Sequence, residues 1–194
     1  MTEGSRIVFR AKESFATRNR KRKLQFALEA IDRLDIRSVL FVGVGAGDVY
    51  ALGNYIETEI ARRVPANVAT GIQEEPAEGF GAFRQADGCD LPWAPDEFDL
   101  VYSNAVIEHV GGEEVQRQYL AEHARVGRYW IATTPNKTFP VESHTNTLFK
   151  HWRKDWEHPE VPRLLTKRDF TELLPPGGRV IGFVAAPTLT ATNV

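Results

Sequence analysis

The run Val39-Leu-Phe-Val-Gly-Val-Gly-Ala-Gly47 passes without a break from an apolar, partly β-branched segment into alternate glycines. The segment Arg37 to Val42 reads as a strand whose successive apolar residues are buried on both faces, the habit of central strands in parallel sheets. Glycines placed directly after such a strand let the backbone turn sharply and let a ligand approach the main chain. Beyond them, residues from Asp48 through about Arg63 carry a helical pattern that stops at Pro65, and Asn67-Val-Ala-Thr-Gly-Ile72 reads as a second strand. Strand, glycine turn, helix and strand in that order specify a parallel crossover. The glycine spacing differs from Gly-x-Gly-x-x-Gly, which makes a nicotinamide or flavin dinucleotide the less favoured ligand.

Upstream of this unit, Leu24, Ala27, Leu28, Ile31 and Leu34 recur at the spacing of one helix face, predicting a helix over 14–34 within an N-terminal extension, 1–36. Downstream, a weaker strand is expected near Gly81 to Arg84, and a clear one at Phe98 to Ser103. The turn-forming residues of 87–97 make a loop between them. A helix over 113–125 and a strand from Gly127 to Thr134, stopping at Pro135, continue the alternation. Residues 136–162 interrupt it with aromatics, histidines and prolines of no clean period, the mark of a functional insertion. A helix over Thr166 to Leu174 opens on Thr166 and Asp169, spaced as a capping pair. Segments 179–185 and 188–194 are expected to close the sheet as an antiparallel pair. The whole chain, 1–194, reads as one α/β domain with a mostly parallel sheet of about seven strands flanked by helices.

Composition narrows the class. With 194 residues, 42% of them hydrophobic and 26% charged, the chain matches an ordinary folded domain. A net charge of -2 argues against a surface that grips a phosphate backbone throughout. No apolar run reaches the roughly 18 residues of a membrane span and no signal-like segment opens the chain, so a cytoplasmic location is expected. The single cysteine, Cys89, fits a reducing compartment. The basic run from Arg18 to Lys23 is either a solvated helix start or a patch facing an anionic substrate or a peripheral lipid surface.

Asp87-Gly-Cys-Asp-Leu-Pro-Trp93 and Phe98-Asp-Leu-Val-Tyr-Ser-Asn-Ala-Val-Ile-Glu-His-Val110, taken with the glycine turn, resemble the acidic loop and fourth strand of class I, Rossmann-like S-adenosylmethionine-dependent methyltransferases. The resemblance runs from about Val39 to Pro135. It implies S-adenosylmethionine as cofactor, with Gly43, Gly45 and Gly47 against its methionine portion and Asp87 with the backbone of Gly88 at its adenine. Ser103 and Asn104 would border the methyl group. Phe41 stands where the family commonly has Asp or Glu. The usual ribose-binding acid falls on Gln73, with Glu74 next to it, so that either Glu74 substitutes or cofactor affinity is lowered.

The segment Thr133 to Thr145, with Phe149 to Trp152, is similar to one in a bacterial branch of these enzymes often placed near polysaccharide or lipid metabolism. A loop leaving the carboxyl end of a central strand borders the ligand crevice, which makes Glu142, His144, His151 and Trp152 candidates to touch an acceptor. His144 and His109 are the candidate catalytic bases, because imidazole ordinarily titrates near neutral pH. No metal is expected. Some related O-methyltransferases hold a divalent ion through Glu-x-x-Glu-His and a later His, but the first Glu falls here on Ala105, and no cysteine cluster offers a zinc site. The function expected is methyl transfer to a hydroxyl, amine or carboxyl of a small-molecule, sugar or lipid-linked acceptor. A catalytically silent binding partner of the same fold and a nucleic-acid methyltransferase stay open beside it.

Overall fold

A computed structural model describes residues 3–45, 54–142, 144, 145 and 147–194, with side chains from Thr17 onward. Helix α1 (Glu3–Leu34) leads into β1 (Val39–Val42), α2 (Tyr55–Arg63), β2 (Asn67–Gly71), β3 (Ala82–Gln85), β4 (Phe98–Asn104), α3 (Glu113–Val126) and β5 (Gly127–Pro135). The small hairpin β6 (Val141–Glu142) and β7 (Thr147–Leu148) follows, then one 3-10 turn, α4 (Lys167–Glu172), β8 (Arg179–Ile181) and β9 (Thr188–Thr192). Seven strands form one sheet in the order β3-β2-β1-β4-β5-β9-β8. Strands β3, β2, β1, β4 and β5 pair in parallel, and β9 runs antiparallel between β5 and β8. Among the described residues no helix is long and apolar enough to cross a membrane.

The sheet separates two apolar layers. Ala27, Ile31, Ile56 and Ile60 of α1 and α2 pack with Val39, Phe41, Leu100 and Tyr102 on one face. Tyr119, Leu120 and Phe170 of α3 and α4 pack with Leu40, Val42, Val101 and Trp130 on the other. Alternate residues of β1 thus serve opposite layers, as a strand covered on both faces requires. Phe41 is fully buried, 5.2 Å from the Phe80 ring and edge-on to Tyr102. Its place in the family pattern is therefore taken by core packing.

Several boundaries differ from the sequence reading. The first helix begins at Glu3 rather than near residue 14, since no proline and, after Gly4, no glycine interrupts 5–34. The first strand starts at Val39 because the amides of Arg37 and Ser38 donate to the Asp99 carboxylate (3.0 and 3.1 Å), outside the ladder. The helix after the glycines is described from Tyr55 onward, and the part expected over 48–53 lies outside the described residues. β8 stops at Ile181, where Gly182 takes φ +118° and turns the chain. The Thr166–Asp169 box forms in both directions, with Asp where Glu is commoner.

His123 links the α3 layer to the sheet. Its Nδ1 donates to the Tyr119 carbonyl (2.8 Å), which leaves Nε2 to accept from the Ser103 hydroxyl (3.0 Å). The imidazole is fully buried and neutral, and burial lowers its pKa to about 4. A depressed histidine binds fewer protons folded than unfolded, so stability falls as pH drops below about 6.5 and the loss ends near 4. Chemical denaturation at pH 5 against pH 7.5 should show about 2 kcal/mol less stability from this group, and His123→Gln should remove that difference. An unchanged pH dependence in the variant would locate the effect elsewhere.

Candidate active site

The carboxyl ends of β1, β2, β4 and β5 lie side by side, and the residues singled out by sequence meet there. Gly43 and Val44 both donate their amides to the Thr70 carbonyl (2.9 and 3.0 Å), which pins the turn after β1 to the end of β2. Gly43 has φ +80°, and a Cβ there would stand 2.5 Å from the Val106 side chain. Among the described residues nothing lies within 4 Å of where a Gly45 Cβ would point, and its carbonyl accepts from Asn54 Nδ2. Gly47 lies outside the described residues. Gln73 reaches back to this turn, its Nε2 donating to the Val44 carbonyl (2.6 Å). Gln73 Oε1 carries no hydrogen bond among the described residues, and neither does the exposed Glu74 side chain.

The Asp87 loop comes to the same edge. Asp87 Oδ1 accepts from the Cys89 amide (2.9 Å), and the Asp87 carbonyl accepts from the Asp90 amide, so the loop is held by its own acid. Gly88 lies against the Tyr119 ring and Val42, where a Cβ would stand 2.5 and 3.0 Å from them. Val42 immediately precedes Gly43, so the glycine turn and the acidic loop meet at one edge of the sheet. The Cys89 thiol is buried, its Sγ near the Val115 carbonyl, and burial together with the Asp87 charge raises its pKa to about 12.

At the end of β4 the two expected neighbours of the methyl group part company. The Ser103 hydroxyl is buried on the α3 side and bound to His123. Asn104 is half-buried on the α1 side, where its Oδ1 accepts from Lys23 Nζ (2.5 Å) and Thr133 Oγ1 (2.8 Å). Glu57 of α2 is buried beside it with Oε2 unpaired, and burial raises its pKa. Burial lowers the Lys23 ammonium to about 8. The last residue of the basic run thus turns into the crevice, while Arg18, Lys21 and Arg22 remain exposed.

A second cluster lies where the segment after β4 meets the insertion. Glu108 is fully buried; its Oε2 accepts from Thr134 Oγ1 (3.0 Å) and its Oε1 has no hydrogen-bond partner among the described residues. Burial raises the pKa of this carboxyl, against the pull of His109 and His144. Glu142 is also buried, which alone would raise its pKa. Hydrogen bonds from the amides of His144 and Thr145, the Thr145 hydroxyl and His144 Nδ1 overrule that and hold it near 2. His109 Nδ1 faces the Glu160 carbonyl. Each of the two histidines therefore presents Nε2 towards Glu108 Oε1, at 3.9 Å for His109 and 3.8 Å for His144.

His151, named with Glu142 and His144 from sequence, does another job. It is buried with Nε2 between the Lys137 and Phe139 carbonyls (2.9 and 3.0 Å), bracing the insertion. Trp152 donates to the Lys137 carbonyl and leaves its ring half exposed. Glu108 and Glu57 were not singled out by sequence, and Lys23 only as the end of the basic run. For Glu108 the visible signal was its adjacency to His109.

At this edge the described residues bring together the tight turn at Gly43, the Gln73 amide, whose oxygen has no partner among them, and the Asp87 carboxylate. Residues 40–129 match a family model described as a methyltransferase domain. The chain thus carries a methyltransferase domain, which together with its fold supports a class I S-adenosylmethionine-dependent methyltransferase. Among solved structures, this methyltransferase resembles the magnesium protoporphyrin IX methyltransferase of Synechocystis, solved with bound SAH, at 16% identity and TM-score 0.59, covering 91% of this chain and 83% of that one. A methyltransferase of Haloferax volcanii, in complex with the Trm112 activator, aligns at 13% identity and TM-score 0.55, covering 86% and 87%. One from Aquifex aeolicus aligns at 16% and 0.51, covering 86% and 88%. At such identities the likeness is one of fold. A search of curated proteins returned no match.

Proposed function

We propose that this methyltransferase methylates a hydroxyl, amine or carboxyl of a small-molecule, sugar or lipid-linked acceptor, in the cytoplasm. The observation that carries the reading is the Glu108, His109 and His144 cluster on the edge shared with the glycine turn, bridged to it by Val106 against Gly43. Gly43, Gly45 and Gly47 would take the methionine portion of the cofactor, Gln73 and Glu74 the ribose, and Asp87 with Gly88 the adenine. When bound, the cofactor supplies a methyl group on sulfonium sulfur that is already electrophilic.

The chain then has to orient the acceptor and accept its proton. Asn104, fixed by Lys23 and Thr133, borders the methyl position, whereas Ser103 supports it from beneath through His123. His144 Nε2 takes the acceptor's proton, and the imidazolium formed is stabilised by the carboxylates of Glu108 and Glu142 on its two sides. His109 lines the same space from the opposite wall, its ring 5.0 Å from that of His144. Leu148, Phe149 and Trp152 on the insertion are exposed, as are Phe183 and Val184, where the Val184 carbonyl is tied to Asn136. Their apolar surface favours an acceptor with a hydrophobic portion.

The test uses S-adenosylmethionine labelled in its methyl group, incubated with separate pools of polar metabolites, lipid extract and RNA. Label entering the first two supports the reading, and label confined to RNA overturns it. Calorimetric titration of the cofactor accompanies it, because a silent binding partner would give no saturable heat. Asp87→Ala should weaken that binding roughly tenfold, the value of one charge-assisted hydrogen bond together with loss of the loop's own brace. Unchanged affinity in the variant would remove the adenine pocket from this loop.

A further inference from the structure

We infer that Glu108, His109 and His144 form a site for a first-row divalent metal ion of the zinc type, with one coordination position open to the acceptor. Glu108 Oε1, His109 Nε2 and His144 Nε2 all lie within 4.8 Å of one another. Three such atoms around one tetrahedral ion with bonds of about 2.0–2.1 Å stand about 3.3 Å apart, so the 3.8 and 3.9 Å separations close with small side-chain rotations. The residues come from two segments, the turn after β4 and the insertion after β5, and only the fold brings them together.

Three features of the cluster point to an ion. Among the described residues Glu108 Oε1 is a buried carboxylate oxygen with no hydrogen bond, aimed into the gap between two imidazoles that stand beyond hydrogen-bond reach. A buried acceptor left in this state costs free energy unless something positive comes to it. Both imidazoles are also set as ligands. His144 Nδ1 is committed to the Glu142 carboxylate and His109 Nδ1 to the Glu160 carbonyl, which puts the ring protons on Nδ1 and leaves the Nε2 lone pairs facing Glu108. That is the outer-shell arrangement that orients metal-bound histidines and raises their basicity. Lastly, the His109 and His144 side chains are 35% and 20% exposed, so solvent or an acceptor oxygen can complete the coordination from outside.

Two imidazoles and one carboxylate suit zinc or a neighbouring transition ion better than magnesium, which prefers an all-oxygen shell. Neighbouring His158 is excluded from the set. Its Nδ1 accepts from the Glu160 amide, so its ring proton sits on Nε2. The inference rests on the proposed function in one respect, that this cluster faces the acceptor. Held by Glu108, His109 and His144, the ion would occupy the histidine lone pairs and would supply Lewis acidity to an acceptor hydroxyl, whose proton would pass to water. Stripped of the ion, His144 accepts that proton itself.

The test is calorimetric titration of Zn²⁺ into the chelator-stripped full chain without cofactor or acceptor, with Co²⁺ as a visible-absorption probe of the ligand set. One ion per chain is expected, with a cobalt spectrum of low coordination number. Glu142→Gln, which removes only the outer partner of His144, should weaken Zn²⁺ roughly 10- to 100-fold. His144→Ala and Glu108→Gln should each weaken it more, and so should His109→Ala, whose side chain is exposed enough to be truncated without disturbing the core. Absence of saturable binding overturns the inference, and so does binding that survives both His109→Ala and His144→Ala. As the titration contains no cofactor, that failure leaves the methyl-transfer reading standing, and loss of cofactor binding would leave the ion site standing.

Discussion

Glu108→Gln is expected to lower kcat by roughly 10²- to 10³-fold, the usual contribution of a positioned proton-transfer group, while cofactor affinity changes less than about threefold. The substitution keeps the shape of the side chain and its contact with the Thr134 hydroxyl but removes the negative charge. Whether a proton or an ion reaches the His109 and His144 nitrogens, the positive charge that collects between them then loses its buried counter-charge. Among the described residues nothing at the glycine turn or the Asp87 loop hydrogen-bonds this side chain, which is why cofactor affinity should hold. Stability provides an independent check. A buried carboxylate with an unpaired oxygen is a cost to the fold, so the amide variant should melt no lower than the parent. Single-turnover rates beside a thermal melt would decide it: an unchanged rate, or a rate lost together with the fold, removes Glu108 from the chemistry.

The second large effect is at Gly43. Gly43→Val places a β-branched side chain at φ +80°, a region essentially closed to it, and drives its Cβ into Val106 at 2.5 Å. Strain and overpacking together should cost about 3 kcal/mol or more. Relief requires the turn to leave the Thr70 carbonyl, or Val106 to move and carry the Glu108 segment with it. Either movement disorganises both halves of the site at once. Saturable binding of S-adenosylmethionine should therefore disappear, with circular dichroism and denaturation separating a folded, non-binding variant from an unfolded one. A variant that binds with the parent's affinity would mean that the turn does not cradle the cofactor.

What could be read in advance were the features whose cause is local. A strand buried on both faces, a glycine at the point where the chain must turn, and a threonine three residues before an aspartate at a helix start each betray themselves within a few residues. Gly43 and the Thr166–Asp169 cap are of this kind. The insertion was opaque because its order is not periodic. Asn136 binds the carbonyls of Val184 and Ala186, and His151 binds two carbonyls more than ten residues back, contacts that leave no rhythm in the chain. Lys23 ends a basic run that sequence left open between a solvated helix start and a patch facing an anionic substrate or lipid surface; its ammonium reaches Asn104 because α1 crosses the edge of the sheet there and also ties Asn19 to Thr188 at β9. Likewise Ser103 and Asn104, adjacent in sequence, serve opposite layers simply because they alternate along a strand.

One consequence concerns safety from the reagent itself. A sulfonium methyl group attacks whatever soft nucleophile it meets, and the chain's single sulfhydryl sits two residues from the acid that would hold the adenine. With its proton retained up to about pH 12 and its sulfur enclosed against Val115, Cys89 offers no thiolate under working conditions. The protein can keep an alkylating agent in its crevice without becoming the target of self-alkylation.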